Sequence, residues 1–444
     1  MSKLTFIKIS LLVGISAIVG LSWSKPVEAL PSYARQTKQA CAACHVGSFG
    51  PQLTAFGREF KLRGYTLTAG EIKAFPISAM MVVSESHTQK DQPADAGPHD
   101  GVNNNFSVQE LSGFVAGRLS EHIGIFAQAT YSDIDRHVAL DNVEVRFAKP
   151  FSKGEHSGVY GVSVNNNPGL SDLWHNGAWR FPFTGSELSP APEVAPLIDG
   201  GLGQQVIGAD AYVSVDSKWY ASLGLYKTLS PAILADINAD YGGRLENAAP
   251  YWRLTYTTSL AGGGLTLGGS GLHARIQPDN GFSVINQYDD YGVDASFEKA
   301  VGSGNQFTMN ANFMHERQAL DAAFAFGEAD KISHSLNSSQ INASYYWANT
   351  YGLTLGWFGT SGTRDSLLYA DSINFSPVSR GEVIQADWTP FGKGDSWKQP
   401  WMNVRFGLQY THYNQFEGAS RNYDGSGRDA SDNDTLFAFA WFAL

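Results

Sequence analysis

Most of the chain consists of short segments in which polar and apolar residues alternate. From about residue 77 onward, segments of about 10 residues follow one another, separated by Gly, Asn, Asp, Ser and Pro. A period of two residues places polar side chains on one face of a β-strand and apolar side chains on the other. We predict sixteen strands, near 77–88, 106–119, 123–134, 138–150, 157–166, 205–215, 218–228, 250–260, 264–277, 288–299, 305–317, 336–348, 351–361, 381–391, 401–414 and 434–444.

The segment near 305–317 shows how cleanly the two faces separate. Its polar face consists of Gln306, Thr308, Asn310, Asn312 and Glu316, and its apolar face of Phe307, Met309, Ala311 and Phe313. The same alternation recurs near 401–411. In a transmembrane barrel the polar face lines the lumen and the apolar face contacts lipid.

The connections between these segments alternate between short and long, as in outer-membrane barrels. The link between the third and fourth segments is the exception, because it is short where a long one is expected. The chain also ends inside its last strand, on an aromatic-rich run at 436–444 that resembles the C-terminal signal of such barrels. We therefore predict a mostly β protein, a porin-like antiparallel transmembrane barrel, over a soluble β-sandwich or lectin-like fold.

The N-terminal residues differ from the rest of the chain. Lys3 and Lys8 flank the start of an apolar run at 9–21, and small residues at 27–29 form a cleavage site. We expect three parts: a signal peptide at 1–29, a small helical segment at 30–75, and the barrel at 76–444. The protein is expected in the bacterial outer membrane, in contact with its lipid.

The composition narrows the range of functions. Charged residues make up 16% of the chain and the formal net charge is −11, which argues against a nucleic-acid groove and a polybasic membrane anchor. The chain has only two cysteines, so a disulfide framework is excluded.

Both cysteines lie in one motif at 41–45, Cys-Ala-Ala-Cys-His. This is the attachment pattern of a c-type haem. Cys41 and Cys44 are spaced to bind the two vinyl groups of one porphyrin, and His45 then lies under the iron as the proximal ligand. A redox disulfide or a zinc pair are the alternatives, but neither accounts for His45 so well. We expect one covalent haem c.

A short amphipathic helix is predicted at 52–63, where Leu53, Phe56, Gly57 and Phe60 form an apolar stripe that packs on the haem or the barrel wall. The segment at 30–75 is too short to bury a haem unaided. We therefore expect the barrel to shelter it, with the segment entering or capping the lumen from the periplasmic side.

The sequence offers several candidates for the sixth iron ligand. Met80 is the first choice, because the pattern of the first strand turns it into the lumen, and a thioether would raise the haem potential. Met314 is the second choice, followed by His87, His99 and His273. Two acidic clusters lie in the expected outer loops: Asp91, Asp95, His99 and Asp100, and Asp424, Asp429, Asp432 and Asp434. Solvated loop charge is the default explanation for them, and docking of ferrous iron is the alternative.

The residues at 30–37, 41–45, 55–61 and 64–66 together resemble the fused cytochrome-porins, a family of outer-membrane monohaem proteins best known for ferrous-iron oxidases. The close match covers about 37 residues, and beyond it only the architecture is shared. The resemblance implies electron transfer from an outer donor, classically ferrous iron, through the haem to a periplasmic cytochrome. It also implies that Arg35, Gln36, Phe56, Arg58 and Tyr65 surround the haem.

One difference from that family follows the haem histidine. Iron-oxidising members continue with an aromatic residue, glutamine and Phe-Pro, whereas this chain has Val-Gly-Ser-Phe-Gly-Pro at 46–51, one residue longer. The resemblance therefore places the chain more securely in the broad family than among its iron oxidases.

We expect an outer-membrane electron conduit, with two alternatives. The haem segment could instead plug or gate a porin, or the conduit could serve another donor or run outward to an acceptor. Whether the protein counts as an iron:cytochrome c oxidoreductase depends on the donor, which the sequence does not identify.

Overall fold

The computed structural model describes residues 32–70, 76–134, 136–176, 180–192, 194–239, 241–278, 283–396, 398 and 400–444. The expected signal peptide at 1–29 lies outside these residues. So do residues 30, 31 and 71–75 of the expected helical segment.

The alternating segments form strands in the structure. Their bounds are β1 Ile77–Thr88, β2 Asn105–Arg118, β3 Ile123–Ser132, β4 His137–Lys153, β5 His156–Asn165, β6 Val206–Val215, β7 Trp219–Thr228, β8 Arg244–Leu245, β9 Ala249–Leu260, β10 Gly263–Gln277, β11 Asn286–Val301, β12 Asn305–Ala319, β13 Ser333–Trp347, β14 Tyr351–Gly362, β15 Ser379–Trp388, β16 Asn403–Gln415 and β17 Thr435–Ala443. All sixteen predicted strands are present, and each end lies within about 3 residues of its prediction. The two-residue β8 was not predicted.

Sixteen strands of the described chain, all except β8, form one closed antiparallel barrel. Each strand pairs with its neighbour in sequence, and β7 pairs directly with β9. The ring closes where β17 pairs with β1, from Met80 opposite Ala443 to Thr88 opposite Thr435. Closure removes the free edges that an open sheet would expose.

The wall has a polar inner face and an apolar outer face, as predicted. In β12, Thr308 and Glu316 are buried inside, whereas Met309 and Phe313 are about two-fifths exposed on the outside. In β16, Arg405 is buried and the following Phe406 is exposed. An apolar outer surface around a polar interior is the arrangement of a bilayer-spanning barrel.

The two ends of the barrel differ. Short turns at 119–122, 154–155, 216–218, 261–262, 302–304 and 348–350 lie at the end where the barrel also begins and finishes. Longer connections lie at the other end, apart from the short link at 133–136 between β3 and β4, which the sequence had indicated. The connection at 389–402 between β15 and β16 is also an exception, because it is long but lies at the end with short turns. In outer-membrane barrels the end with short turns faces the periplasm.

The helices are short. They are α1 Ser32–Thr37, α2 Cys41–Cys44 and α3 Ala55–Leu62 before the barrel, and α4 Pro231–Asp236 and α5 Asp321–Ala325 in its loops. No helix among the described residues is long and apolar enough to cross a membrane. The predicted helix at 52–63 begins three residues late, because the Thr54 side chain caps α3 by accepting a hydrogen bond from the Gly57 amide (3.2 Å).

The N-terminal segment, residues 32–70, lies inside the barrel, and we call it the plug. Inward-facing side chains of well-separated strands donate hydrogen bonds to its backbone carbonyls. Arg146 of β4 donates to Lys61 (3.0 Å), Tyr212 of β6 donates to Leu62 (2.8 Å), and Asn403 of β16 donates to Ser48 (2.8 Å). The wall therefore holds the plug from several sides at once, which satisfies the expectation that the barrel shelters this segment.

The long connection at 166–205, which we call the inner loop, also folds into the barrel. Among its described residues, Asn176 donates to Asp294 of β11 (2.8 Å), and the Leu197 amide donates to Glu316 of β12 (2.7 Å). Tyr413 of β16 donates to the Pro190 carbonyl (2.7 Å). The sequence indicated only a long outer loop, and the structure corrects this by placing it across the lumen.

We expect Arg146→Met to destabilise the protein by about 3–5 kcal/mol. Arg146 and Glu144 form an ion pair (2.8 Å) whose side chains are both fully buried, so the change leaves a buried carboxylate without this partner. The measurement is the free energy of unfolding in urea from lipid bilayers. The double variant Glu144→Gln with Arg146→Met should recover much of the loss, and a double variant no more stable than the single one contradicts the argument.

Candidate functional site

The two cysteines and His45 lie on one tight piece of the plug. Cys41 and Cys44 are the first and last residues of α2, one helical turn apart. His45 is extended (φ −117°, ψ 134°) and forms a β-bridge with Leu53. The amide of Thr54 donates to the Cys44 carbonyl (2.9 Å), so the chain between them returns as a closed loop.

Neither cysteine forms a disulfide, and Cys41 is buried. Burial raises the pKa of Cys41 to about 11. Burial also raises the pKa of Cys44 to about 12, with a further contribution from the nearby Cys41. The two thiols are therefore close neighbours that stay protonated near neutral pH.

His45 has the properties of a metal ligand. Burial lowers its pKa to about 4, so its imidazole is neutral near pH 7. The ring bonds to the backbone of Gly50, and its Nδ1 has no hydrogen-bond partner among the described residues. A coordinating histidine needs one ring nitrogen oriented by a backbone or carboxylate group and one free to bind the metal. Together with two cysteines that form no disulfide, His45 completes the set of residue types that a covalent haem requires.

The helix behind this motif packs unusually close to it. A Cβ added at Gly57 of α3 would lie 2.2 Å from the Cys44 carbonyl oxygen, so only glycine fits there. Phe60 is buried on the same side, as the apolar stripe predicted. Phe56 of the same stripe is 36% exposed and does not pack on the barrel wall, so its predicted packing on a haem stays a prediction.

The family resemblance assigns five residues to the haem surroundings. Four of them hold the plug in place through hydrogen bonds or an ion pair. Arg35 donates to the Ile77 carbonyl (2.7 Å), at the start of β1. Gln36 donates to the Tyr65 carbonyl (2.7 Å) within the plug. Tyr65 itself donates to Glu144 of the wall, and Phe56 makes no comparable polar contact because it has no polar atom.

The fourth fastening residue, Arg58, connects α3 to both the loop and the wall. It donates to the Leu53 carbonyl (2.8 Å) and forms an ion pair with Glu298 of β11. Its guanidinium also lies over the ring of Trp174 in the inner loop, 5.9 Å from the ring centre. The motif residues therefore fix where α2 and His45 lie within the lumen.

Met80 lies on the inner face of β1, as predicted. It packs against a buried apolar cluster that contains Phe49 of the plug, only four residues after His45, together with Phe437 of β17. Met314 is buried in a different cluster, beside the inner-loop residue Ile198. The structure thus brings Met80, but not Met314, to the apolar cluster that contains Phe49.

The three histidines proposed as further ligands lie elsewhere. His87 is exposed and bonds to Asn104 (2.9 Å) near the loop end of β1. His99 is exposed in the following loop, and His273 of β10 pairs with Asp289 (2.6 Å).

Sequence reasoning missed His175 in the inner loop. Its Nδ1 lies 2.8 Å from the Pro51 carbonyl and its Nε2 lies 2.9 Å from Lys61 Nζ. His45 is close enough to contribute to the lowering of its pKa, which burial chiefly causes. The only sequence signal was the length of the loop, since loops this long are often functional.

The second acidic cluster of the outer loops, Asp424, Asp429, Asp432 and Asp434, is engaged in the structure of its own loop. Asp432 pairs with Lys90 (3.1 Å) and forms a capping box with Asp429. Asp434 accepts hydrogen bonds from the Tyr410 hydroxyl and the Tyr413 amide. Among the described residues, no group of three or more His, Cys, Asp or Glu side chains is arranged to hold a metal ion.

Solved structures with a similar fold are outer-membrane channels. The OmpF porin of Salmonella typhi, in complex with daunomycin, is 10% identical, with 83% of this chain and 97% of the porin covered and a TM-score of 0.48. The DcaP channel of Acinetobacter baumannii is 8% identical, with 83% and 97% covered and a TM-score of 0.45. The anion-selective porin from Comamonas acidovorans is 10% identical, with 83% and 98% covered and a TM-score of 0.44. No protein-family model and no curated protein sequence matches the chain.

The closed barrel, its apolar outer face and its unequal ends define the class of protein. The chain is a closed, porin-like β-barrel with the apolar outer face of a membrane-spanning protein. Its own N-terminal segment lies in the lumen and presents two thiols and a neutral histidine there.

We expect the stability of the protein to rise between about pH 8 and pH 10.5 because of Lys61. This buried side chain donates to the carbonyls of Leu170 (2.7 Å) and Asp172 (2.9 Å), and burial lowers its pKa from 10.5 to about 8. Between these values the unfolded chain binds the extra proton, so raising the pH favours the folded state.

The measurement is the free energy of unfolding at pH 7.5 and pH 10.5 for the wild type and for Lys61→Met. The wild type should gain roughly 3 kcal/mol relative to the variant over this range. Titration of all other groups cancels in the difference. Equal gains in the two proteins would show that Lys61 keeps an ordinary pKa inside the barrel.

Proposed function

We propose that this protein is an outer-membrane cytochrome that passes single electrons between the outside of the cell and a periplasmic carrier. The observation that carries the proposal is the placement of Cys41, Cys44 and His45 together inside the barrel, with neither cysteine in a disulfide. These are the only cysteines of the chain, and they stand in the attachment pattern of haem c.

The three residues would hold the haem in distinct ways. Each thiol of Cys41 and Cys44 would add across one vinyl group, its sulfur bonding to one carbon and its hydrogen to the other, so no oxidant is required. His45 would bind the iron through a ring nitrogen while Gly50 orients the ring. Bound in this way, the haem would supply reversible one-electron chemistry. The resemblance to the cytochrome-porins supports the same assignment.

The position of the plug suits a soluble periplasmic partner. Ser48 donates to the Gly392 carbonyl (2.5 Å), and Ala40 lies beside Gly394. Both glycines belong to the connection between β15 and β16, at the end with short turns. A c-type cytochrome or another small carrier could approach the haem segment from that mouth, while the donor, in our proposal extracellular ferrous iron, enters from the loop end.

We expect ferrous iron to reduce the purified, oxidised protein rapidly and stoichiometrically. The measurement is anaerobic stopped-flow absorption of the haem bands in detergent near neutral pH. His45→Ala should abolish this reduction, because it removes the proximal ligand. Cys41→Ser with Cys44→Ser should leave the barrel folded but without covalent haem in a denaturing gel.

Two results would count against the proposal in different ways. A wild-type protein without covalent haem contradicts the cytochrome assignment altogether. Haem that dithionite reduces promptly but ferrous iron does not would retain the cytochrome and exclude iron as its donor.

We propose Met80 as the sixth ligand and expect Met80→Leu to lower the haem reduction potential by on the order of 100 mV. The loss of a thioether ligand should also change the ferric absorption spectrum. Met81→Leu is the matched control, because the neighbouring side chain points away from the lumen. A changed ferric spectrum in His175→Leu, with the spectrum and potential of Met80→Leu unchanged, would assign the position to the inner loop instead.

A second candidate function is a haem-plugged porin whose redox state gates solute passage. The observation that favours it is that the plug and the inner loop both occupy the lumen and bond to each other through Lys61. Planar-bilayer conductance distinguishes the two. Conductance that changes with haem oxidation state, without oxidation of a donor, would support gating.

A conduit for another donor, or one running outward, is tested with the same stopped-flow assay and other reductants or acceptors.

A further inference from the structure

A stripe of basic side chains crosses the outer surface of β7 to β12 at the loop end of the barrel. We call it the basic stripe, and it consists of Lys227, Arg244, Arg275 and Arg317. Each of the four follows or precedes a residue that is buried inside the barrel, so its own side chain points outward. These buried neighbours are Tyr226, Leu245, Ala274 and Glu316.

Three members of the basic stripe lie around Glu246. Lys227 donates to the Glu246 backbone carbonyl (3.2 Å), and Arg275 forms an ion pair with the Glu246 carboxylate (2.6 Å). Arg244 stands two residues before Glu246 and donates to Gln277 of β10 (3.0 Å), the strand that also carries Arg275. These three basic side chains therefore belong to one patch.

The strand register brings Arg317 to the same patch. On β10, His273 projects from the same face as Arg275, two residues away. His273 lies opposite Asp289 of β11, which in turn lies opposite Arg317 of β12. Side chains that lie opposite or diagonal to each other on one face of a sheet are close neighbours. Arg275 and Arg317 therefore flank Asp289 from its two sides.

Positive charge is in excess along the basic stripe. Its four cations outnumber the two described carboxylates that line it, Glu246 and Asp289. The far wall differs, because β1 there presents the exposed Glu85 near the same end. The chain as a whole has a formal net charge of −11, so the basic stripe is a local exception that attracts anions.

The basic stripe begins where the apolar outer surface ends. Tyr291 of β11 lies two residues below Asp289, and Trp252 of β9 lies in the same row, with Gly271 of β10 between them. Trp252 and Tyr291 are 40% and 53% exposed, and Val293 below them is 60% exposed. Tryptophan and tyrosine mark the level of the lipid headgroups on membrane proteins. The cations directly above them therefore lie at headgroup depth, with an apolar wall below for acyl chains.

We propose that the basic stripe binds the phosphate groups of a lipid in the outer leaflet of the membrane. The inference rests on the outer-membrane placement of the barrel in the proposed function, but not on the haem. Guanidinium groups bind phosphate through paired hydrogen bonds. Clusters of basic side chains at a membrane surface bind anionic lipid headgroups.

A lipid fits the basic stripe better than a soluble anion does. The stripe lies on the outer wall rather than in a cleft, so a free phosphate would meet few donors at once. A lipid phosphate is already held at headgroup depth by its acyl chains, which pack against the apolar wall below Trp252 and Tyr291. The ligand is therefore an amphiphile that carries phosphate.

The test is native mass spectrometry of the full, delipidated protein in detergent, titrated with diphosphoryl lipid A. This probe carries two phosphates on one amphiphile. Arg275→Gln with Arg317→Gln should weaken the apparent affinity at least about 10-fold, because it removes two of the four cations. Arg275→Lys with Arg317→Lys keeps the charge and should stay within about 3-fold of the wild type, which excludes a loss caused by misfolding.

The matched control is Arg136→Gln with Arg380→Gln. Both residues are exposed near the loop end, but they lie before β4 and in β15, outside the basic stripe. The net charge changes by the same amount, and lipid A binding should not change. Equal weakening in the two glutamine double variants would reduce the effect to overall charge and overturn the proposal. Unchanged affinity in Arg275→Gln with Arg317→Gln would overturn it as well.

Competition with inorganic phosphate separates a lipid site from a site for a soluble anion. Inorganic phosphate should displace diphosphoryl lipid A only at a concentration at least about 100-fold higher, because it lacks acyl chains. Displacement at equal concentration would overturn the lipid assignment. The Cys41→Ser with Cys44→Ser protein should bind lipid A with wild-type affinity, so the result is independent of whether the protein carries haem.

Discussion

The structure depends on the way the barrel wall pairs with the backbone of its own plug. A sixteen-stranded ring encloses more space than its inward side chains can fill, so the polar groups within it need partners from elsewhere in the chain. Arg146 meets this need most directly, because it neutralises Glu144 and donates to carbonyls of both the plug (Lys61, 3.0 Å) and the inner loop (Ser171, 2.8 Å). One fully buried side chain thus joins the three parts of the interior.

Lys61 of the plug also bonds to both the inner loop and the wall. Its ammonium group is held by the inner loop, while its backbone carbonyl is held by the wall. This arrangement leaves α3 little freedom to move, and α3 in turn presses Gly57 against Cys44. The positions of the two thiols and of His45 therefore follow from polar contacts that lie some distance along the chain from them.

The barrel could be predicted from sequence because it is encoded locally. The period of two residues in each strand, and the alternation of short and long links, identified sixteen strands to within about 3 residues. The sequence signal for the two cysteines and His45 was also local, since one five-residue motif contains all three. The start of α3 was predicted less well, because it is determined by the Thr54 cap and by the bridge between His45 and Leu53.

The interior contacts could not be predicted because they join residues far apart in the chain. The inner loop has no periodicity that indicates an inward path, so His175 was missed. Asn310 and Asn312 were assigned to the lumen face, but their grouping with Asn342 and Gln340 depends on the register between β12 and β13. That register cannot be read from either strand alone.

The closing seam of the barrel determines the order in which the molecule can be assembled. The last strand of the chain completes the ring by pairing with β1, which directly follows the plug, and Cys41 is buried once the ring is complete. Any group bonded to that thiol must therefore be attached while the C-terminal strand is still unpaired. In the proposed function, the haem would therefore be attached to the unfolded periplasmic chain, before membrane insertion closes the barrel around it.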